Sequence, residues 1–93
     1  MSITMTKDPD EDLDYTWDFT DVLASGETIS SYEMLPQSPI ELHDVSQSSL
    51  AVTAYVSPGG AIGQSYDVTC RVTSSATPPR VYDRTIKFKM RSR

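Results

Sequence analysis

His43 stands beside Asp44, a pairing that can orient an imidazole for general-base chemistry. Such a base needs a nucleophile. The serines that follow, Ser46, Ser48 and Ser49, lack the Gly-x-Ser-x-Gly turn that presents a reactive hydroxyl. His43 therefore reads as a surface histidine. Asp8-Pro-Asp10-Glu-Asp12-Leu-Asp14 sets carboxylates at alternate positions, as a calcium loop does. That loop also needs glycine at its sixth position and glutamate at its twelfth. Here those positions hold Leu13 and Phe19, so the cluster reads as solvated acids. Gly59-Gly60 lacks the lysine and following helix of a phosphate loop. A lone cysteine, Cys70, excludes a disulfide within the chain and a multi-thiolate metal site, and fits a reducing cytoplasm. No catalytic residue, metal ligand or cofactor is assigned.

What remains is charge and its distribution. The net charge of −5 is the residue of two opposite halves. Residues 1–44 hold eleven acids and one base, and residues 45–93 hold seven bases and two acids. The plainest expectation is that the two signs meet inside one fold. Two groups are left as candidate interaction residues. One is Asp8, Asp10, Glu11 and Asp12 near the start. The other is Lys87, Lys89 and Arg91, which share one outward face near the end. The acidic first half argues against nucleic acid as a partner. No run of 18 apolar residues is present to span a membrane, and the first residues lack an apolar signal core.

These residues must be positioned by strands. Tyr66, Val68, Cys70 and Val72 alternate with Asp67, Thr69, Arg71 and Thr73. Ile86, Phe88 and Met90 alternate with Thr85, Lys87 and Lys89. Period-2 alternation puts one set on each face of a pleated strand. Pro78 and Pro79 mark the connection between the two strands. Leu13, Tyr15, Trp17 and Phe19 form an aromatic inner face on an earlier strand. Further strands are predicted at 29–35 and 50–57, with a short one at 40–45. Residues 20–28 read as a turn, or one helical turn ending at Gly26. Residues 1–12 read as a flexible acidic arm, disordered alone, and 13–93 as one domain. The inner face is expected to include Trp17, Val52, Tyr66, Val68, Cys70, Val72, Ile86 and Phe88. Short strands separated by Gly, Pro and Ser clusters argue for an all-β antiparallel sandwich.

The stretch Gly63-x-x-Tyr66-x-Val68-x-Cys70-x-Val72 resembles the penultimate strand of fibronectin-type and bacterial immunoglobulin-like domains. Two longer stretches extend the resemblance. One is Asp12-Leu-Asp-Tyr-Thr-Trp-Asp-Phe-Thr-Asp-Val-Leu followed by Gly26-Glu-Thr-Ile. The other is Ala54-Tyr-Val-Ser-Pro-Gly-Gly-Ala-Ile-Gly-Gln-Ser-Tyr, with the closing Asp83-Arg-Thr-Ile-Lys-Phe-Lys-Met. Together they resemble the small immunoglobulin-like virion proteins of tailed bacteriophages, the fibre–tail adaptor or neck proteins. Residues 36–49 carry no match. The resemblance implies an immunoglobulin-like sandwich and a non-enzymatic structural role at the head–tail neck or fibre attachment. It implies other virion structural proteins as partners, a multimeric state on the particle, and synthesis in the host cytoplasm. A capsid decoration (cement) protein is the alternative, and a host- or carbohydrate-binding module, using Tyr32, Tyr55 and Tyr82, is a weaker one.

Overall fold

Alternating apolar residues build seven strands in the computed structural model, which describes residues 2–92. They are β1 (Ser2–Lys7), β2 (Leu13–Asp18), β3 (Ile29–Pro36), β4 (Leu42–Gln47), β5 (Ala51–Val56), β6 (Ser65–Ser74) and β7 (Val81–Met90). One sheet has the order β1-β7-β6-β3 and the other β2-β5-β4. The two pack face to face as a sandwich-like all-β fold. Trp17 on β2 donates its indole N–H to the Val68 carbonyl on β6, at 3.1 Å, across the layers. Phe88 receives Tyr15 edge-on at 4.8 Å and Trp17 at 6.4 Å, a geometry that aromatic rings favour.

The hairpin of β6 and β7 is the centre of the larger sheet, as its alternation predicts. Val68, Cys70, Val72, Ile86 and Phe88 are wholly buried, and so are Trp17 and Val52 from the facing layer. Tyr66 packs against this core while partly exposed. Its hydroxyl oxygen accepts the Ala61 amide at 3.1 Å, which ties the 57–64 loop to the strand. Gly60 in that loop has φ +93°, and a Cβ there would stand 2.9 Å from the Tyr66 ring. Only glycine meets both conditions without strain.

Burial of Cys70 has a direct consequence. Removal from water pushes its thiol up from 9.0 to about 12, with the Asp83 charge adding to the effect. Alkylation needs the thiolate. Iodoacetamide at pH 8 should therefore label the native protein about 10³-fold more slowly than the protein in denaturant, from that loss of thiolate alone. Comparable rates would place Cys70 on the outer face.

The start of the chain departs from the sequence reading. Residues 2–7, read as part of a flexible arm, form β1, and the sandwich therefore begins before residue 13. Ile3 pairs with Ile86, Met5 with Phe88, and Lys7 with Met90. That pairing is parallel, whereas every other pairing in the two sheets is antiparallel among the described residues. Arg84, which belongs to the basic C-terminal run in sequence, turns inward opposite Cys70. It is 6% exposed, bonds Asp21 at 3.0 Å and stacks 5.9 Å from the Phe19 ring centroid. Residues 20–26 form turns, with Gly26 in the left-handed region at φ +80°.

Candidate docking surface

The candidate residues come together at one pole of the sandwich. The Arg91 amide donates to the Lys7 carbonyl at 2.9 Å, so the end of β7 and the end of β1 lie side by side. The 8–12 loop starts from that point. The 57–64 loop joins it, through the Gly59 amide donating to the Pro9 carbonyl at 2.7 Å. It also joins the end of β7, where Gly63 donates to the Met90 carbonyl and Met90 to the Gln64 carbonyl, both at 2.9 Å. The acidic loop and the basic end are thus neighbours, although the sequence separates them by nearly the whole chain.

Cross-strand register decides which charges on the outer face of the larger sheet are already neutralised. Asp83 sits opposite Arg71, and the guanidinium grips its carboxylate in a two-pronged contact of 2.8 and 3.1 Å. That contact holds the Asp83 carboxyl below the ordinary aspartate value. Thr69 and Thr85 share a hydroxyl hydrogen bond of 2.7 Å in the next row. Lys87 sits opposite Asp67, with a looser approach of 3.9 Å. Lys89, in contrast, lies between Thr6 on β1 and Ser65 on β6, neither of them charged. Of the three predicted cations, Lys87 is shared with Asp67, whereas the cross-strand neighbours of Lys89 are uncharged.

Lys89 and Arg91 rim an open groove of about 410 Å³ that also touches Ile62, Gly63, Gln64, Ser65, Met90 and Ser92. Ile62 is 64% exposed, the most exposed of the large apolar side chains among the described residues. An apolar knob beside two cations suits a segment that combines a carboxylate with an apolar side chain.

The acidic loop is more organised than its composition suggests. Asp8 accepts the Asp10 amide on its own carboxylate at 2.9 Å, the short-range bond that makes aspartate a turn former. Its carbonyl accepts the Glu11 amide at 3.0 Å, and its amide donates to the Glu11 carboxylate at 3.2 Å. The same carbonyl accepts the Lys7 ammonium at 3.0 Å. Lys7 is wholly buried, and desolvation holds its pKa below the ordinary lysine value despite the acids around it.

Asp12 reaches across to the second sheet. Its carboxylate meets His43 Nε2 at 2.8 Å, and Asp44 meets Nδ1 at 2.7 Å. The ring stacks on Tyr55 with centroids 5.2 Å apart. Both ring nitrogens can donate only in the imidazolium. Hydrogen bonding to Asp12 first, and to Asp44 second, accordingly raises the His43 pKa above 6.5. A raised folded-state value means stability that is complete below 6.5 and is lost as pH rises through the folded value. The thermal midpoint should therefore fall across the range above pH 6.5, and His43→Gln should flatten that fall. A midpoint equally pH-dependent in both proteins would remove the clasp as its cause.

Sequence reasoning found the two charged groups but missed their partners. His43, Lys7 and Ile62 are all part of this pole. His43 was legible only as a surface residue because Asp12 lies on another strand's approach. Of the three tyrosines, Tyr32 on β3 and Tyr82 on β7 both lie level with Val72 in the larger sheet, with Tyr82 half-buried and donating to the Glu27 carboxylate at 3.1 Å, while Tyr55 stacks on His43 in the other sheet.

No curated protein matches the chain. The family model described as podophage GP4 fiber-tail adaptor protein gp77 matches residues 7–89. That span runs from the buried Lys7 through both sheets to Lys89, and the chain belongs to the podophage GP4 fiber-tail adaptor protein gp77 family.

Proposed function

We propose that the protein is a non-enzymatic structural adaptor of a tailed-phage virion, made in the host bacterial cytoplasm and seated where fibres meet the tail or neck. Its partners are neighbouring virion proteins, and it becomes multimeric by occupying symmetry-related positions on the particle. The family match supports the adaptor role. The observation that carries the docking site is the pole at which the 8–12 loop, Lys89, Arg91 and Ile62 converge.

Asp8, Asp10, Glu11 and Asp12 form the acidic half of that contact. Lys89 and Arg91, with Lys87 behind them, form the basic half. Charge of both signs on one pole fixes orientation, since a rotated partner would meet like charge. The immunoglobulin-like character suggested by the Tyr66 corner belongs to the same reading: a rigid two-sheet body presenting loops at one end.

Loading onto adaptor-deficient particles tests the reading. Lys89→Glu with Arg91→Glu should leave the thermal midpoint of the free protein unchanged, because both side chains are exposed. Its loading should drop about tenfold at ordinary salt. Normal loading would remove the basic pole as the contact. Absence of the unaltered protein from purified particles would remove the adaptor role itself.

A further inference from the structure

Each sheet has two edges, and three of the four are blunted. β2 carries Asp14 and Asp18. β3 has a bulge between Ile29 and Ser31, carries Glu33, and ends at Pro36. β4 breaks register between His43 and Ser46, with Asp44 in the left-handed region at φ 49°. Charge, proline and bulges are the devices that stop an edge from pairing with another chain. β1 has none of them over 2–6, Ser-Ile-Thr-Met-Thr, and its register against β7 is unbroken. Ile3 and Met5 are each 38% exposed on the core side of that edge.

We propose that the free edge of β1 is a strand-addition site for an extended segment of a partner protein that alternates apolar residues with carboxylates. An added strand would continue the sheet with backbone hydrogen bonds to β1. Side chains opposite Ile3 and Met5 would cover the apolar surface those residues leave open. Side chains opposite Thr4 and Thr6 would lie on the outer face, one strand further from Lys87 and Lys89. Two strand spacings are about 10 Å, within reach of a lysine side chain meeting a glutamate. The lysine whose cross-strand neighbours are both uncharged, Lys89, is next to Thr6 and gains most from an acid there. A second copy of this chain is a poorer occupant, because its own β1 brings no carboxylate to the outer face.

The adaptor reading supplies only the expectation that the partner is another virion protein. A peptide measurement reads the edge alone, so it can fail while particle loading through Lys89 and Arg91 stands. The probe is a nine-residue capped peptide alternating valine and glutamate, with a valine–lysine peptide beside it. Amide exchange of the full chain is followed by NMR. The glutamate peptide should slow exchange at outward amides of Ile3, Thr4, Met5 or Thr6, and the lysine peptide should bind about tenfold more weakly. Thr6→Glu sits on the exposed outer face and should weaken the glutamate peptide about fivefold, with the fold intact. Met5→Lys places a charge at the edge and should weaken both peptides. Unchanged β1 exchange at saturating glutamate peptide would overturn the proposal. So would equal binding of the two peptides. Protection of β1 that rises with protein concentration alone would assign the edge to a second copy instead.

Discussion

Replacing Val68 by aspartate is expected to leave the protein unfolded at 25 °C and neutral pH. Val68 is wholly buried at the centre of β6, opposite Ile86 on β7 and Pro36 on β3. Its carbonyl anchors the Trp17 indole. Losing the valine side chain from the core costs about 2 kcal/mol. The incoming carboxyl must then be buried charged, or be protonated. Holding an aspartate neutral at pH 7, from an ordinary value near 3.9, costs about 4 kcal/mol. The total of about 6 kcal/mol is comparable to the stability of a domain this small, at the lower end of about 5–14 kcal/mol. Circular dichroism should show no cooperative transition, and Trp17 emission should shift to the red as the indole meets water. An unchanged thermal midpoint would place Val68 outside the core.

Deleting residues 2–7 should have the second-largest effect, and it separates a strand from an arm. An arm could be removed at no cost to the remaining fold. β1 instead covers the edge of β7 along six paired positions, and Lys7 is buried at its end. Ile3 and Met5 each bury more than half their surface, worth about 1 kcal/mol apiece, and the buried lysine stem adds a similar amount. A loss of about 3 kcal/mol lowers the midpoint of a domain this size by about 12–24 °C. The shortened protein should also expose β7, whose alternating Ile86, Phe88 and Met90 would make a new adhesive edge, so aggregation should rise with concentration. A midpoint within a degree or two of the full chain would return residues 2–7 to the status of an arm.

The same two experiments mark the boundary between what sequence and structure each contribute. The faces of β6 and β7 were legible because alternation is local: each residue's face follows from its neighbour's, and Tyr66 to Val72 with Ile86 to Met90 keep the period without a break. The strand around Trp17 and the strand around Val52 were legible for the same reason. The family resemblance rested on those same strands. Arg84 shares parity with Ile86 and Phe88, and so its inward position was also readable. Its partner Asp21 was not, because that contact joins a turn after β2 to the middle of β7.

β1 shows where local pattern stops. Ser2 to Thr6 does alternate, but an edge strand needs a partner to be a strand, and its partner is the last strand of the chain. A segment so short, with five residues of modest hydrophobicity, looks the same in sequence whether it pairs or drifts. Charge behaved likewise. The sequence by itself determined that acids gather in the first half and bases in the second. Only tertiary structure decided that Lys87 meets Asp67, that Asp12 holds His43, and that Lys89 faces Thr6 and Ser65. Those pairings depend on cross-strand register and on which loops share a pole. A one-residue slip of β7 would exchange the neighbours of Lys87 and Lys89 while leaving the composition untouched.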